Sequence, residues 1–247
     1  MPEGDSIFKL ARRVRPVLEG RVLTEGRLGR EQLPVLTGAT VERVETYGKH
    51  LLLHLDTGRT LRVHLGLGGK GLVIRGPYDG RRVLDLATDA GRFVVTQALH
   101  CQLLTPAEAE RALAHLGPDL LKDPCDLHQI AEGSEGFEGT SSELLLDQRI
   151  AAGIGNVYKC ELLFVFRIHP ERPASEMPPL QPIYAKARDW LRANCETPRR
   201  ITTGPTFPAD LYVYDRARRP CMRCRTPIAV GEVAERVTYW CPKCQVR

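Results

Sequence analysis

The chain has 247 residues, a formal net charge of +5 and a hydrophobic fraction of 43%. This composition indicates a globular protein, and the length allows two modest domains with a good core. No apolar run approaches the roughly 20 residues of a membrane span. Because the N-terminus also lacks the apolar stretch of a signal peptide, we expect a cytoplasmic protein whose eight cysteines are reduced or metal-bound.

Positive charge is concentrated near the C-terminus. Residues 199–247 hold ten Lys and Arg against four Asp and Glu, whereas the rest of the chain is close to neutral. A basic module on a near-neutral body suggests a polyanionic partner. A solvated basic tail explains the same charge equally well, so this pattern alone does not decide.

The first hundred residues predict a helix followed by short strands. Asp5 and Ser6 are helix-capping residues, an apolar face follows them, and Gly20 ends the pattern. Apolar residues alternate on both sides of the turns at 56–58 and 89–91, which predicts two β-hairpins. Several short strands with such turns fit a β-sandwich.

The pattern becomes helical near residue 105. Thr105, Pro106 and Glu108 form a helix start with a capping box. Further helices are predicted over "DPCDLHQIA", "ELLLDQRIAA", "VYKCELLFVFRI" and "IYAKARDWLRANC". The turn "GIGN" places Asn156 at a helix start, where exposed backbone N–H groups can hold a phosphate. An ordinary helical turn is the commoner explanation of such a motif.

Four cysteines near the C-terminus form two C-x2-C pairs with 16 residues between them: Cys221, Cys224, Cys241 and Cys244. Two such turns complete a tetrahedral shell of four thiolates, which is typical of a structural zinc site. The intervening residues predict a β-hairpin around Gly231. A redox pair or an iron–sulfur cluster is the rival interpretation. Five nearby arginines are candidates for phosphate contact: Arg216, Arg218, Arg219, Arg223 and Arg225.

Three short features are ambiguous when each is taken alone. Removal of Met1 would leave Pro2 as a free secondary amine beside the carboxylate of Glu3, and amines form Schiff bases with carbonyl carbons. An ordinary N-terminus is the alternative. Lys49 precedes an apolar strand, where most lysines are solvent-facing edge residues. Leu67 lies in the glycine-rich "HLGLGG" and is either a packed loop residue or a wedge between base pairs.

The order of these features carries more information than any one of them. The chain contains "MPEG", "YGKHLL", "HLGLGG", "LGPDLL", "LLLDQRIAAGIGNVYKCELLFVFRIHP" and "VYDRARRPCMRC…RVTYWCPKCQ". Together they resemble the formamidopyrimidine-DNA glycosylase/endonuclease VIII family over nearly the whole chain. The resemblance implies a multidomain α+β fold with an N-terminal catalytic β-sandwich and leading helix over 1–104. It also implies a helix–two-turn–helix DNA-binding domain over 105–200. The last implied domain is a zinc-finger β-hairpin with one Zn²⁺ over 211–247.

The resemblance also implies a bifunctional DNA glycosylase and abasic-site (AP) lyase of base-excision repair. Such an enzyme acts on damaged double-stranded DNA, here as a nucleoid-associated monomer, and cuts the strand by β,δ-elimination. By this resemblance Pro2 is the Schiff-base nucleophile and Glu3 is its acid/base partner.

The same resemblance assigns DNA-contacting residues. Lys49 contacts phosphate and aids elimination, and Asn156 also binds phosphate. Arg236, in the zinc-finger hairpin, contacts phosphate beside the lesion and assists δ-elimination. Leu67 lies where the family's void-filling wedge lies.

Three departures point to the endonuclease VIII-like branch and to oxidised pyrimidines. The family's usual second glutamate is Ser6 here, and "QALHCQLL" replaces the Arg-Arg-Phe-Gly loop of the 8-oxoguanine branch. The segment between "ITTG" and "VYDR" lacks most of the loop that this branch folds over a flipped purine. A weak glycosylase that is mainly an AP lyase stays open. The alternatives are an 8-oxoguanine/formamidopyrimidine glycosylase and a non-catalytic zinc-ribbon damage sensor.

Overall fold

The computed structural model of the chain describes residues 2–29, 31–32, 36–204 and 207–246. The chain divides into two compact units, Met1–His115 and Leu116–Arg247. The domain boundaries expected from the sequence stay a prediction. Within the described residues, no helix combines the length and the apolar character needed to cross a membrane.

The first unit opens with helix α1, Gly4–Leu18, whose N-cap is Glu3. The helix starts earlier than the predicted caps, so Asp5 is a buried residue of its first turn rather than a cap. Gly20 follows the helix with a φ of +72° and ends it as expected. The apolar stripe of α1 is fully covered, so the helix is held by tertiary packing.

Two antiparallel five-stranded sheets follow, with strand orders β1-β4-β5-β6-β10 and β3-β2-β8-β9-β7. The strands are β1 (Arg21–Val22), β2 (Glu25–Leu28), β3 (Glu31–Gln32), β4 (Thr40–Tyr47), β5 (His50–Leu55), β6 (Thr60–His64), β7 (Gly71–Ile74), β8 (Leu84–Thr88), β9 (Gly91–Val95) and β10 (His100–Leu104). Both predicted hairpins, β5–β6 and β8–β9, are present. One hydrophobic core contains residues of α1 and of both sheets, which confirms the predicted fold class.

Helix α2, Pro106–Leu113, ends the first unit and carries the predicted capping box of Thr105 and Glu108. The second unit contains α3 (Leu127–Glu132), α4 (Ser141–Leu146), α5 (Asn156–Val165), α6 (Leu180–Cys195) and the hairpin strands β11 (Ala229–Val233) and β12 (Arg236–Trp240). A second capping box joins Thr140 and Glu143 at the start of α4.

Helix α4 is shorter than the predicted helix over "ELLLDQRIAA" because polar side chains bind the backbone beyond Leu146. The side-chain amide of Gln148 donates to the carbonyls of Leu146 and Ile154, at 2.7 and 3.0 Å. Its oxygen accepts from the N–H of Gly153 at 3.1 Å. Such side-chain bonds offer the backbone an alternative to the helical ladder.

The zinc-finger hairpin turns at Ala234 and Glu235, both with a φ of 53°, and not at Gly231 as predicted. Gly231 lies inside β11, opposite Thr238 of β12. A Cβ at Gly231 would lie 3.1 Å from the ring of Trp240. The glycine therefore admits an aromatic ring at close range rather than making the turn.

Candidate active-site residues and zinc site

Pro2 and Glu3 lie at the N-terminal end of α1. Glu3 is fully buried, and its backbone carbonyl accepts the first helical N–H groups, from Ser6 at 2.9 Å and Ile7 at 3.1 Å. Pro2 is half-buried immediately before it. Both residues therefore lie at the positive end of the helix dipole. Met1, whose removal the sequence interpretation requires, lies outside the described residues.

A second buried carboxylate, Asp5, lies beside this pair. The sequence predicts a helix cap at this position, but α1 begins at Gly4 and places Asp5 inside the first turn. Asp5 is fully buried. The hydroxyl of Ser6 donates to it at 3.3 Å, and the ammonium of Lys9 lies 3.6 Å from its second oxygen. The residue that replaces the family's second glutamate is thus bonded to a neighbouring acid.

Lys49 occupies the two-residue turn between β4 and β5. Tyr47 and His50 pair on either side of this turn, and Gly48 adopts a φ of 53°. Glycine at the first turn position is what tight hairpins of this length favour. Lys49 is half-buried. Its positive charge helps to lower the pKa of His64 at the end of β6.

Three histidines that the sequence reading did not connect form a cluster, which we call the histidine cluster: His50, His64 and His100. The rings of His50 and His64 are 4.7 Å apart, and those of His64 and His100 are 6.1 Å apart. Arg62 donates to Nδ1 of His50 at 3.2 Å. The signal was present, because antiparallel pairing brings the start of β5 and the start of β10 to the end of β6.

The histidine cluster is neutral at physiological pH. Burial, followed by the neighbouring His64, lowers the pKa of His50 to about 2. Burial, followed by the charge of Lys49, lowers the pKa of His64 to about 4. Burial and then Arg62 lower the pKa of His100 as well. The positive charge beside the cluster is therefore carried by the half-buried Lys49 and the buried Arg62.

Asn156 and Arg236 are brought together in the second unit. Asn156 is the first residue of α5 and only 2% exposed. Its side-chain amide donates to the backbone carbonyl of Val237 at 2.7 Å, one residue beyond Arg236. Its Oδ1 is buried without a hydrogen-bond partner among the described residues. The Nδ2 atom of Asn156 thus binds strand β12. The Oδ1 atom can accept a hydrogen bond from a further donor.

Lys159 is a buried cation that the sequence reading missed. It is fully buried, and its Nζ donates to Oγ1 of Thr238 at 2.6 Å. It follows Asn156 by three residues, so both side chains lie on one face of α5. Together they fix the hairpin strand that begins with Arg236.

Glu161, also on α5, is a second missed anchor. Its fully buried carboxylate accepts the hydroxyl of Thr202 and the backbone N–H groups of Tyr212, Val213 and Tyr214, the latter three at 2.7, 2.8 and 2.9 Å. Burial raises the pKa of Glu161, and these four hydrogen bonds oppose the rise. A single carboxylate therefore holds the segment that leads into the zinc finger.

The four predicted metal ligands converge. The Sγ atoms of Cys221, Cys224, Cys241 and Cys244 all lie within 4.8 Å of one another. The Cys221–Cys244 and Cys224–Cys241 sulfur pairs are 3.9 and 3.4 Å apart, and tetrahedral Zn–S bonds of about 2.3 Å place sulfurs about 3.8 Å apart. The donor set fits one closed structural Zn²⁺ site.

Two of the five arginines predicted for phosphate contact have structural partners. Arg223 donates to the carbonyls of Phe164 and Val165 at 2.9 and 3.2 Å, and its guanidinium lies 4.5 Å from the ring centre of Phe164. These carbonyls end α5, where a cation complements the helix dipole. Arg216 donates to the carbonyls of Tyr212 and Pro220.

Three known domain families match successive segments of this chain. Residues 1–113 match the formamidopyrimidine-DNA glycosylase N-terminal domain, and residues 116–203 match the formamidopyrimidine-DNA glycosylase H2TH domain. Residues 219–246 match the zinc finger found in FPG and IleRS. The chain belongs to the formamidopyrimidine-DNA glycosylase family.

Two relatives lie in the endonuclease VIII-like part of this family. The chain is 41% identical to a Streptomyces coelicolor protein named "Probable endonuclease 8 2", over 99% of this chain and 94% of that protein. It is 37% identical to the DNA-(apurinic or apyrimidinic site) lyase Nei2 of Mycolicibacterium smegmatis, over 99% of both chains. The predicted family is thereby confirmed.

Solved structures share the fold. The MutM (Fpg) protein of Thermus thermophilus superimposes with a TM-score of 0.82 at 27% identity, over 99% of this chain and 98% of that one. The Lactococcus lactis formamidopyrimidine-DNA glycosylase bound to DNA with an abasic site has a TM-score of 0.84 at 20% identity, over 99% and 100% of the two chains. The fold class and the zinc site predicted from the sequence are confirmed, and the roles of the individual DNA-contacting residues stay predictions.

Proposed function

We propose that this protein is a bifunctional DNA glycosylase and AP lyase of base-excision repair that removes oxidised pyrimidines from double-stranded DNA. It acts as a monomer at the nucleoid. Family membership and relatives named endonuclease 8 and AP lyase support this. The observation that carries the proposal is the fully buried carboxylate of Glu3, directly after Pro2 at the N-terminus of α1.

The chemistry begins with Pro2. Removal of Met1 gives a secondary amine whose pKa is about 8 in ordinary peptides, and the positive end of α1 disfavours its protonated form. The amine attacks C1′ of a nucleotide flipped out of the stack. The glycosidic bond breaks and the base leaves with the bonding electrons. The Pro2 nitrogen loses its proton and forms a double bond to C1′ as the C1′–O4′ bond breaks, and Glu3 protonates O4′. Pro2 is then joined to C1′ as an iminium.

The iminium makes the C2′ hydrogen acidic. Loss of that proton expels the 3′ phosphate by β-elimination, and a second proton loss expels the 5′ phosphate by δ-elimination. Lys49 assists the first elimination and Arg236 the second, each by neutralising a phosphate. Cys221, Cys224, Cys241 and Cys244 would hold one Zn²⁺ as a structural ion, which would stabilise the hairpin that carries Arg236 without taking part in the reaction.

The preference for pyrimidines is supported by a short connection before the zinc finger. The N–H groups of Thr202 and Thr203 both donate to the carbonyl of Asp210, at 2.9 and 3.3 Å. Only six residues separate Thr203 from Asp210, too few for the cover that the 8-oxoguanine branch places over a purine. The Ser6 and "QALHCQLL" departures support the same preference.

Borohydride trapping tests the proposal. Duplexes that carry an oxidised pyrimidine, 8-oxoguanine or an abasic site are incubated with protein and reduced, and the covalent adduct is quantified. We expect adducts with the wild type and none with Pro2→Gly. Glu3→Gln should lower base excision about 10²–10⁴-fold, since it loses acid–base catalysis, and should affect a preformed abasic site less. Glu42→Gln, an exposed change in β4, is the matched control.

The alternatives give different outcomes. Preferential excision of 8-oxoguanine would move the protein to the other branch. DNA binding without any trapped adduct would make it a non-catalytic sensor, and an intact mass that retains Met1 would agree with that result. Equal trapping by a protein with an N-terminal tag would move the nucleophile to another amine, with Lys49 the first candidate.

A further inference from the structure

A groove with a volume of about 570 Å³ opens on the second unit. One wall is the end of α3 with the loop at 134–137, and the other wall is the segment 174–181, which leads into α6. Four half-buried apolar side chains form its floor: Phe137, Ala174, Met177 and Leu180. These side chains also pack against the hydrophobic core of the unit. The groove is large enough to take up several side chains of a bound molecule.

The apolar floor of the groove differs in shape from the predicted wedge residue of the first unit. Leu67 is 61% exposed in the loop between β6 and β7. The floor of the groove consists instead of half-buried side chains at the bottom of a depression. A concave apolar surface receives an apolar side chain from a partner rather than inserting one.

Hydrogen bonds fix both walls of the groove. The hydroxyl of Ser134 donates to the carbonyl of Ala131 at 2.5 Å, and the N–H of Phe137 donates to the carbonyl of Ser134 at 3.2 Å. The N–H of Ala174 donates to the carbonyl of Gly139 at 2.8 Å, which ties the second wall to the end of the first. Because the groove is formed before a partner arrives, binding costs little ordering of its backbone.

The rim of the groove is acidic. Four exposed glutamates lie in or beside its two walls: Glu132, Glu135, Glu138 and Glu176. Among the described residues, only Glu132 has an ion-pair partner, His128 at 3.7 Å. No lysine, arginine or histidine is among the described residues that line the groove. This rim attracts cations and repels phosphate groups.

We propose that the groove docks a partner protein through a short segment in which a large apolar side chain is flanked by lysine or arginine. The apolar side chain leaves water on entering the groove, and the flanking cations meet Glu135 and Glu138. The flexible thioether of Met177 lets the floor accept apolar side chains of different shapes. Nucleic acid is not the occupant, because its phosphates meet charges of the same sign. The inference goes beyond the proposed function, since no candidate active-site residue lines the groove.

Peptide binding to the full-length protein tests the docking groove. Fluorescein-labelled peptides with one phenylalanine or leucine between lysines or arginines are titrated, beside the same peptides with glutamate in place of each basic residue. We expect the basic peptides to bind more tightly than the acidic ones. Their affinity should fall as salt is raised, because exposed charges are screened. Amide hydrogen exchange of the complex should show new protection at 131–138 and 174–181.

Variants of the rim and floor sharpen this test. Glu135→Lys should weaken binding of the basic peptides about fivefold, because one attraction is lost and one repulsion is gained. Gln181 is an exposed lining residue, so Gln181→Lys should weaken binding and Gln181→Glu strengthen it, each about twofold. Met177→Gln should weaken binding with an unchanged salt dependence. Glu110→Lys makes the same charge change at an exposed position of α2 and is the matched control.

The outcomes separate the groove from the proposed function. The proposal is overturned if no basic peptide binds more tightly than its acidic counterpart, or if the new protection lies outside the two walls. It is also overturned if Glu135→Lys raises the affinity for undamaged duplex DNA more than Glu110→Lys does, because the rim then faces nucleic acid. If the wild type traps no abasic DNA but binds the basic peptides in the groove, the proposed function fails and the docking groove stands.

Discussion

The two units of this protein are each stabilised internally, but by different kinds of contact. In the first, α1 and both sheets share one apolar core, so cohesion is spread over many similar contacts. The second unit also has an apolar core, but there the ten-residue helix α5 in addition carries polar side chains that each hold a separate piece of chain. Asn156 and Lys159 hold the hairpin, and Glu161 holds the segment at 212–214.

The use of buried polar contacts in the second unit follows from the small size of the zinc finger. The finger is too short to bury enough apolar surface for independent stability, so metal ligation and buried hydrogen bonds take over. An apolar contact can be replaced by a similar one, but a buried donor that loses its acceptor has no substitute. We therefore expect single substitutions to be most damaging around α5 and the zinc site.

Loss of zinc should have the largest effect. Chelation or Cys241→Ser should unfold the finger and abolish tight DNA binding while the first unit stays folded, because structural zinc contributes about 10–16 kcal/mol in finger peptides. Zinc content and amide hydrogen exchange measure this. Cys195→Ser, at a buried cysteine of α6 outside the metal shell, should retain the metal. Unchanged protection of the finger in zinc-free protein would contradict the prediction.

Glu161→Ala should have the next largest effect. It removes the acceptor of three backbone N–H groups, of which that of Val213 is buried and those of Tyr212 and Tyr214 are half-buried, and a buried N–H without an acceptor costs about 1–3 kcal/mol. We expect the free energy of unfolding of the second unit to fall by about 3 kcal/mol or more in urea titrations. Glu161→Gln should be intermediate because one carbonyl oxygen remains. Glu232→Ala, an exposed change in β11, is the control, and equal stability of the two alanine variants would refute the anchor role.

The histidine cluster should make the first unit acid-sensitive. Below its ordinary pKa of 6.5 a histidine of the unfolded chain takes up a proton, whereas folded His64 does so only near pH 4 and His50 near pH 2. The unfolded state thus binds more protons, and stability falls as the pH drops from 6.5 towards 4. The slope is up to about 1.4 kcal/mol per pH unit for each proton. Urea unfolding of His50→Gln at a series of pH values should show a shallower dependence of stability on pH than the wild type, and an unchanged dependence would contradict the prediction.

Substitutions in the two capping boxes should have the smallest effects. Because each unit contains one box, they compare how tightly a helix is coupled to the core of its unit. Loss of a threonine cap costs about 1 kcal/mol. Helix α4 buries four of its six residues, whereas α2 buries none. We expect Thr140→Ala to lower the free energy of unfolding of its unit by about that amount, and Thr105→Ala to fray α2 with a smaller global change. Equal losses in thermal unfolding would mean that α2 is coupled to its core as tightly as α4.

Local signals predicted most of the elements because their causes are local. The capping box at Thr105 and the hairpins at 56–58 and 89–91 depend on residues close in sequence, and the structure has them where expected. The paired cysteines predicted the zinc site because a C-x2-C spacing is enough to direct two thiolates towards one metal ion. The end of α4 was missed because the competing bonds of Gln148 depend on how the next residues fold back.

The site was predictable only in part for a similar reason. Resemblance supplied five candidate residues whose roles stay predictions: Pro2, Glu3, Lys49, Asn156 and Arg236. No pattern shows that Lys159 and Glu161 are buried anchors, because their partners lie 79 and 41 or more residues away along the chain. The histidine cluster likewise appears only after three strands have been placed side by side.

The hydrophobic core of the zinc finger is shared with α5. Cys160 and Phe164 of that helix pack with Val213, Cys221, Ile228 and Cys241, and Arg223 of the finger closes the helix C-terminus. The finger is therefore not an interchangeable cassette. A finger transplanted from another protein would arrive with part of its interior missing, and would leave α5 with an open face and uncapped carbonyls. Helix and finger must be exchanged, designed or altered in evolution as one piece.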